Sequence, residues 1–181
     1  MTPLPEGARA VVVTASNRAS AGVYEDTSGR LLADGLRELG FDVEGPHVLP
    51  DDVEALAQAL RTAVAGGADL VLTTGGTGLT PTDVTPEATR AVIEREAPGI
   101  AEAVRRYGAE HVPTSVLSRG LAGTAGRTLV VNLPGSSGGV RDGLAVLGPL
   151  LPHVVSQLRG GDHDTAVLRT APRPGAVPDS R

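Results

Sequence analysis

The sequence predicts an α/β layered fold built on a parallel sheet. Three observations support this. Short apolar runs rich in β-branched residues, Ala10–Thr14, Asp69–Thr74 and Thr128–Leu133, alternate with segments of helical period. Leu70-Val71-Leu72 shows no polar alternation, as in a strand covered on both faces. Three strand ends carry distinctive loops, Ser16-Asn17-Arg18, Gly75-Gly76-Thr77-Gly78 and Pro134-Gly135-Ser136-Ser137. In parallel strands the carboxyl ends share one edge, so the three loops are expected to converge on one crevice.

Residues 1–8 read as a lead-in, followed by the first strand at Ala10–Thr14. Ala19–Asp26 has no period and reads as a loop. Thr27 or Ser28 can cap a helix carrying Leu31, Leu32, Leu36 and Leu39, with Gly40 as its stop. Phe41–Leu49 is a second strand, placed near a sheet edge by Gly45-Pro46. After Pro50-Asp51-Asp52, a helix presents Val53, Leu56, Leu60 and Val64 and closes at Gly66-Gly67. Asp69–Thr74 is the third strand. Beyond its glycine loop, Thr85 suits an N-cap, Pro86 the first helical position and Glu87 the positive first turn, predicting a helix over Pro86–Glu96. A second helix follows at Gly99–Tyr107. Pro113–Gly120 leads through a glycine-rich turn to the fourth strand, Thr128–Leu133, and helices close the domain at Val140–Leu147 and Leu151–Leu158. Residues 1–161 read as one domain. Charge, proline and glycine dominate from there, and 162–181 is expected to be a disordered tail.

Composition narrows the function. The 181 residues contain 2% aromatics, no Trp and one Phe, so the core must be built from Leu, Val, Ile and Ala. A stacking platform for single-stranded nucleic acid is missing, and the net charge of −5 opposes a phosphate-backbone footprint. No cysteine is present, which excludes disulfides, thiolate nucleophiles and Cys-ligated zinc and fits a reducing cytoplasm. No apolar stretch approaches ~20 residues, and the N-terminus lacks a signal pattern. The expectation is a cytoplasmic protein with neither nucleic-acid nor membrane partners. All 16 basic side chains are arginine, so a P-loop lysine and Schiff-base chemistry are excluded.

The densest motif is Leu72-Thr73-Thr74-Gly75-Gly76-Thr77-Gly78 with its continuation Leu79–Glu87. Glycines at the end of a strand let backbone N–H groups approach an anion. Asp83 in the same loop is placed to hold a metal, or else forms a turn. Asp51, after Leu49-Pro50, emerges at the same sheet edge, where it or Asp52 also suits a helix cap. Magnesium is held by one or two carboxylates together with substrate phosphates. Ser118-Arg119-Gly120 sets a hydroxyl beside a permanent positive charge, suited to an anionic ligand or to an ordinary turn. His47, His111, His153 and His163 lack metal-ligand spacing, and no Gly-x-Ser-x-Gly elbow is present.

These motifs resemble the MoaB/Mog family of molybdenum cofactor biosynthesis proteins. The resemblance spans about residues 9–160, carried by Leu72–Gly78 with Asp83-Val84-Thr85-Pro86-Glu87-Ala88-Thr89. Ser16-Asn17-Arg18-Ala19-Ser20, Gly22-Val23-Tyr24, Pro113–Arg119 and Asn132–Ser136 complete it. It implies a three-layer αβα sandwich with a mostly parallel sheet, the MoaB/Mog molybdopterin-binding fold, usually a trimer, and for Mog-type members a molybdopterin adenylyltransferase. Such enzymes use Mg-ATP to place AMP on the terminal phosphate of molybdopterin and release pyrophosphate. Asp51 and Asp83 would be the catalytic and Mg2+-holding carboxylates. Ser16, Asn17, Gly75, Gly76, Thr77, Gly78, Ser118, Arg119, Pro134, Gly135 and Ser136 would contact ATP or molybdopterin, with Ser118 in the pterin region. Three positions depart from the family pattern: Asn17 where many relatives carry aspartate, Thr82 where arginine is common, and Ser137 for a frequent second proline. The alternative within the family is a non-catalytic molybdopterin carrier or scaffold. With no soft metal ligands here, molybdenum insertion would fall to a separate partner.

Overall fold

The computed structural model describes residues 3–161; the expected tail at 162–181 lies outside them. In chain order the elements are β1 (Arg9–Ala15), one helical turn α1 (Asn17–Ser20), α2 (Thr27–Glu38), β2 (Asp42–Leu49), α3 (Val53–Ala65), β3 (Leu70–Thr74) and α4 (Thr85–Arg90). There follow β4 (Arg95–Glu96), α5 (Pro98–Ala109), a 3₁₀ turn at Pro113–Leu117, β5 (Ala122–Ala125), β6 (Thr128–Leu133), α6 (Ser137–Leu147) and α7 (Leu151–Leu158). The strands form one six-stranded sheet in the order β2-β1-β3-β6-β5-β4. The first four pair in parallel, and β5 and β4 add an antiparallel flap beyond β6.

Alternation along the parallel strands divides the core into two layers. Ala10 and Val12 of β1, Leu70 and Leu72 of β3, and Leu129, Val131 and Leu133 of β6 pack with Leu32 and Leu36 of α2, Val104 of α5 and Leu147, Leu151 and Val155 beyond. Val11, Val13, Val71 and Val130 face the opposite side, with Leu56, Ala57 and Leu60 of α3 and Ala88 of α4. This is the expected three-layer sandwich of Leu, Val and Ala, and each fully buried leucine contributes roughly 1.5–3 kcal/mol of transfer free energy.

Several local expectations are corrected. The N-cap of α2 is Asp26, not Thr27 or Ser28. Its Oδ1 accepts from the Gly29 amide at 2.8 Å, and the Thr14 hydroxyl donates to Oδ2 at 2.6 Å, tying the helix start to β1. The helix expected over Pro86–Glu96 ends at Arg90. Beyond it the Glu94 and Ala97 amides donate to Thr124 and Ala122 carbonyls, so sheet pairing takes the backbone. That pairing requires the glycine-rich turn to hold a strand, β5, in which a Cβ at Gly123 would stand 2.6 Å from the Arg95 carbonyl. Thr85 does not cap α4. The residue preceding the helix is Val84, and the Thr85 hydroxyl donates to the Gly75 carbonyl at 2.9 Å. The last long helix before α7 begins at Ser137 rather than Val140, because Ser136 caps it through the Gly139 amide at 3.0 Å. No helix among the described residues is long and apolar enough to cross a membrane.

At the other end of the sheet, Arg159 clamps Asp69 with two 2.7 Å hydrogen bonds and donates to the Glu6 and Gly7 carbonyls, fastening the end of α7 to the lead-in. Burial alone would raise the Asp69 carboxyl, but the Arg159 guanidinium, the Arg9 amide and the charge of Arg127 outweigh it and hold it below its ordinary value. A carboxyl depressed on folding adds stability above its unfolded value, near pH ~4, and loses it as pH falls further. The unfolding midpoint is therefore expected to drop below pH ~4, and to drop less steeply in Asp69→Asn. Thermal melts between pH ~6 and ~3, spanning the ~4 of a free carboxyl, check this.

Candidate active site

The carboxyl ends of the four parallel strands lie side by side and deliver, across the edge, Asp51 after β2, Ser16-Asn17 after β1, the glycine loop after β3 and Pro134–Ser136 after β6. From β1 the chain steps outward to β2, then crosses to β3 on the other side of β1. The switch point is thus between β1 and β3, where open α/β sheets bind ligands.

Glycine is obligatory in the loop for contact as well as conformation. Gly75 has φ +92°, and a Cβ there would stand 2.3 Å from the Ala15 carbonyl oxygen. A Cβ on Gly76, at φ +61°, would stand 2.3 Å from the Thr85 hydroxyl and 3.3 Å from Asp51 Oδ1. The loop is tied to its neighbours by the Thr74 hydroxyl donating to Pro134 O at 2.9 Å, the Gly75 amide to Leu133 O at 3.1 Å and the Thr85 amide to Gly76 O at 3.0 Å. The expectation of bare glycine amides is corrected in part. Gly75 spends its N–H on β6, and the Gly78 amide acts on the Asp83 carboxylate. The Gly76 and Thr77 amides make no hydrogen bond with another described residue and remain for an anion.

Both acidic candidates rest on this loop. Asp51 forms a reciprocal pair with Asn17: the Asn17 amide donates to Asp51 Oδ2, and the Asp51 amide donates to Asn17 Oδ1, each at 2.9 Å. The neighbouring Asp52 caps α3 through the Ala55 amide, so Asp51 is free of that duty. Its Oδ1 lies against Gly76. Asp83 Oδ2 accepts from the Thr80 amide at 2.8 Å and the Thr80 hydroxyl at 2.6 Å, and lies 2.8 Å from where a Gly78 Cβ would be. Burial pushes the Asp83 carboxyl up, yet the Thr80 donors, the Gly78 amide and the Arg119 charge pull it below its ordinary value and keep it ionised. Asp83 therefore shapes the turn and also presents a charge. Among the described residues no hydrogen bond reaches Asp51 Oδ1, and the three donors on Asp83 leave its carboxylate with acceptor sites to spare. Two hard oxygen donors beside free amides suit magnesium, which takes one or two carboxylates and completes its shell with phosphates and water. No group of three or more His, Cys, Asp or Glu among the described residues would hold a metal alone.

Arg119, expected to contact an anionic ligand or to sit in an ordinary turn, braces the loop. Its Nε donates to Gly78 O at 2.8 Å, and its two terminal nitrogens reach the Asp83 carbonyl and the Glu87 carboxylate, while its amide donates to Thr77 O at 2.8 Å. The Arg119 hydrogen bond in turn holds the Glu87 carboxyl below its ordinary value. A lysine here reaches one acceptor at a time. Arg119→Lys is expected to lower the melting midpoint through loss of the roughly 1–2 kcal/mol that one or two hydrogen bonds are worth, as thermal melts will read.

Ser118 sets its hydroxyl 3.3 Å from that of Thr77, on a segment held by Arg105 through the Ser118 and Gly120 carbonyls at 3.2 and 3.0 Å. Ser16 is already engaged. Its hydroxyl caps α1 through the Ala19 amide and bonds the Tyr24 hydroxyl at 2.9 Å, beneath Arg18. A cleft of about 270 Å³ begins at Thr77 and Gly78, passes Ser118, Pro134 and Ser136 and reaches Ser115 and Asp142. An inner recess continues along Ala101, Val104 and Gly108. All the sequence-nominated loops thus meet at one edge. Thr80, Thr85, Glu87, Arg105 and Asp142 were not nominated. Placing the start of α6 at its Ser136 cap would have set Asp142 near the site; Thr80, Thr85 and Glu87 lie within the Leu79–Glu87 motif without a site role read into them, and Arg105 carries no sequence signal.

Residues 11–153 match the profile of the family described as "Probable molybdopterin binding domain". A molybdopterin adenylyltransferase of Helicobacter pylori is 38% identical over 155 residues, 82% of this chain and 86% of that protein. A molybdenum cofactor biosynthesis bifunctional protein of Synechococcus elongatus is 40% identical over 88% of this chain, which spans 50% of that relative's length. Among solved structures, the molybdopterin biosynthesis Mog protein from Mycobacterium ulcerans aligns with TM-score 0.80 at 49% identity, covering 84% of this chain and 99% of that one. The tungsten cofactor synthesizing protein MoaB from Pyrococcus furiosus aligns at 0.79 with 34% identity, covering 86% and 99%.

Proposed function

Because the chain belongs to the molybdopterin-binding domain family, we propose that it is a molybdopterin adenylyltransferase of molybdenum cofactor biosynthesis. The observation that carries this reading is the placement of two carboxylates, Asp51 at Gly76 and Asp83 at Gly78, on one glycine loop at the sheet's switch point. The terminal phosphate oxygen of molybdopterin attacks the α-phosphorus of ATP. A new P–O–P bond forms, the bond to the β-phosphate oxygen breaks, and pyrophosphate leaves. Such a transfer asks the protein for alignment and charge stabilisation rather than a covalent nucleophile. Asp51 and Asp83 would hold magnesium, which when bound neutralises charge on the phosphates. The Gly76 and Thr77 amides face the transferred group, and Asn17 fixes Asp51. Ser118 and the Pro134-Gly135-Ser136 turn line the cleft on the molybdopterin side.

The molecule works in the cytoplasm as a homotrimer, and a separate protein inserts the metal. Self-association is supported by Val112, Val116 and Leu117, each at least half exposed, together with Tyr107. A carrier role has one observation in its favour: the Thr80 donors give Asp83 a turn-forming job independent of chemistry. Incubation with molybdopterin, ATP and magnesium separates the two readings. Pyrophosphate and adenylyl-molybdopterin in equal amounts are expected, and molybdopterin binding without pyrophosphate would make the protein a carrier. Sedimentation is expected to give three 18.3 kDa chains.

A further inference from the structure

We infer that Asp142 reads the 2-amino-4-oxopyrimidine edge of the pterin and so sets substrate specificity. This rests on the proposed function for the identity of the ligand. Asp142 lines both the outer cleft and its inner recess. Apart from Ser115, the other polar side chains of the recess are committed. The Ser118 hydroxyl bonds Thr77 and Gly120, Arg105 holds two carbonyls, and the Asn132 amide bonds Thr73, Thr89 and the Leu121 amide. Among the described residues, no hydrogen bond or ion pair reaches the Asp142 carboxylate. A partly buried carboxylate with open acceptor sites gains from a ligand that brings N–H groups.

Gly108 makes the opening. A Cβ there would stand 2.8 Å from the Ser115 hydroxyl and 3.3 Å from Asp142 Oδ2, so two acceptors line one gap in the α5 wall. Ala101, Val104 and Pro134 supply apolar surface around it. The outer cleft, about 270 Å³ and lined by the same Asp142 and Ser115, thus suits a flat ring that brings a donor edge to the carboxylate. A pterin presents its 2-amino group and N3–H side by side, and a carboxylate accepts such a pair as a fork. At the far end of the cleft, Thr77 and Gly78 stand where the phosphate of the same molecule would meet the glycine loop.

The test titrates two fluorescent probes without ATP, 2-amino-4-oxopteridine and 2,4-dioxopteridine. The second sets a carbonyl oxygen against the carboxylate where the first sets an N–H. Wild type is expected to prefer the amino probe by about 10–100-fold, the worth of a charge-assisted pair, and Asp142→Asn to erase most of that preference. In the adenylylation assay Asp142→Asn is expected to raise the KM for molybdopterin by a similar factor while the KM for ATP stays within about twofold. Gly108→Ala, whose Cβ would crowd both the Ser115 hydroxyl and Asp142 Oδ2, is a second route to the same loss of pterin binding. A wild type indifferent to the two probes, or an Asp142→Asn variant that keeps the preference, overturns the inference. Probe preference without any pyrophosphate release leaves the inference standing and removes the transferase reading instead.

Discussion

Asparagine in place of Asp51 is expected to cut pyrophosphate release by about 10²–10³-fold, the scale on which removing one preorganised charge-stabilising group slows an enzyme. Molybdopterin binding and the fold should stay near wild type. The variant is clean for geometric reasons. The α3 cap belongs to Asp52, so the helix start is untouched. The remaining amide oxygen can still accept from the Asn17 amide, and the Asp51 amide still reaches Asn17 Oδ1. What is lost is the charge, and with it the open oxygen beside Gly76, where a neutral NH₂ cannot ligate a cation. Asp83→Asn should lose turnover on the same scale for a mixed reason. Its carboxylate accepts from the Thr80 hydroxyl, the Thr80 amide and the Gly78 amide, and an asparagine NH₂ must oppose at least one of those donors. A lower melting midpoint is expected in Asp83→Asn and an unchanged one in Asp51→Asn. Rates at saturating ATP and magnesium, beside thermal melts, read both. Wild-type turnover in Asp51→Asn would remove that side chain from the chemistry.

The difference between the two aspartates shows where sequence reading works. β1, β3 and β6 were legible because a strand covered on both faces must be a continuous apolar run, and Val11–Val13, Leu70–Leu72 and Leu129–Val131 are that. The three loops were legible because parallel strands end on one edge. That placed Asp51, Asn17, Gly75–Gly78 and Pro134–Ser136 together without knowledge of any contact. Legibility ended where two partners distant in sequence compete for one group. Arg119 looks like an anion receptor beside Ser118, yet Gly78, Asp83 and Glu87 take its guanidinium. Thr85 has the chemistry of an N-cap, but the Gly75 carbonyl is nearer to its hydroxyl's purpose. Residues 91–96 suit a helix by composition, and only the arrival of β5 turns Arg95 and Glu96 into an edge strand. In each case local propensity is worth tenths of a kcal/mol and the tertiary partner about 1 kcal/mol, so the partner decides.

The same competition predicts what one methyl group does at Gly75. Alanine there must hold φ near +92°, which costs an L-residue about 1–2 kcal/mol. Its Cβ would also stand 2.3 Å from the Ala15 carbonyl. That atom is backbone at the carboxyl end of β1, which pairs β2 on one side and β3 on the other, so no rotamer change relieves the contact. Overpacking of this kind adds about 1–3 kcal/mol. Gly75→Ala is therefore expected to lose roughly 2–5 kcal/mol, a fall of roughly 5–20 °C in melting midpoint for a domain of this size. Any relaxation that restores the fold moves the loop off β1, carrying Gly76 away from Asp51 and the free amides away from the phosphates, so turnover should fall below detection even below the midpoint. Gly67→Ala separates the two causes. Gly67 also has positive φ, +77°, but a Cβ there meets nothing within 4 Å. It should show the conformational cost alone, about 1 kcal/mol, with full activity. Equal losses of stability in the two variants would mean that backbone conformation, rather than the close approach of β1, is what demands glycine at the head of this loop.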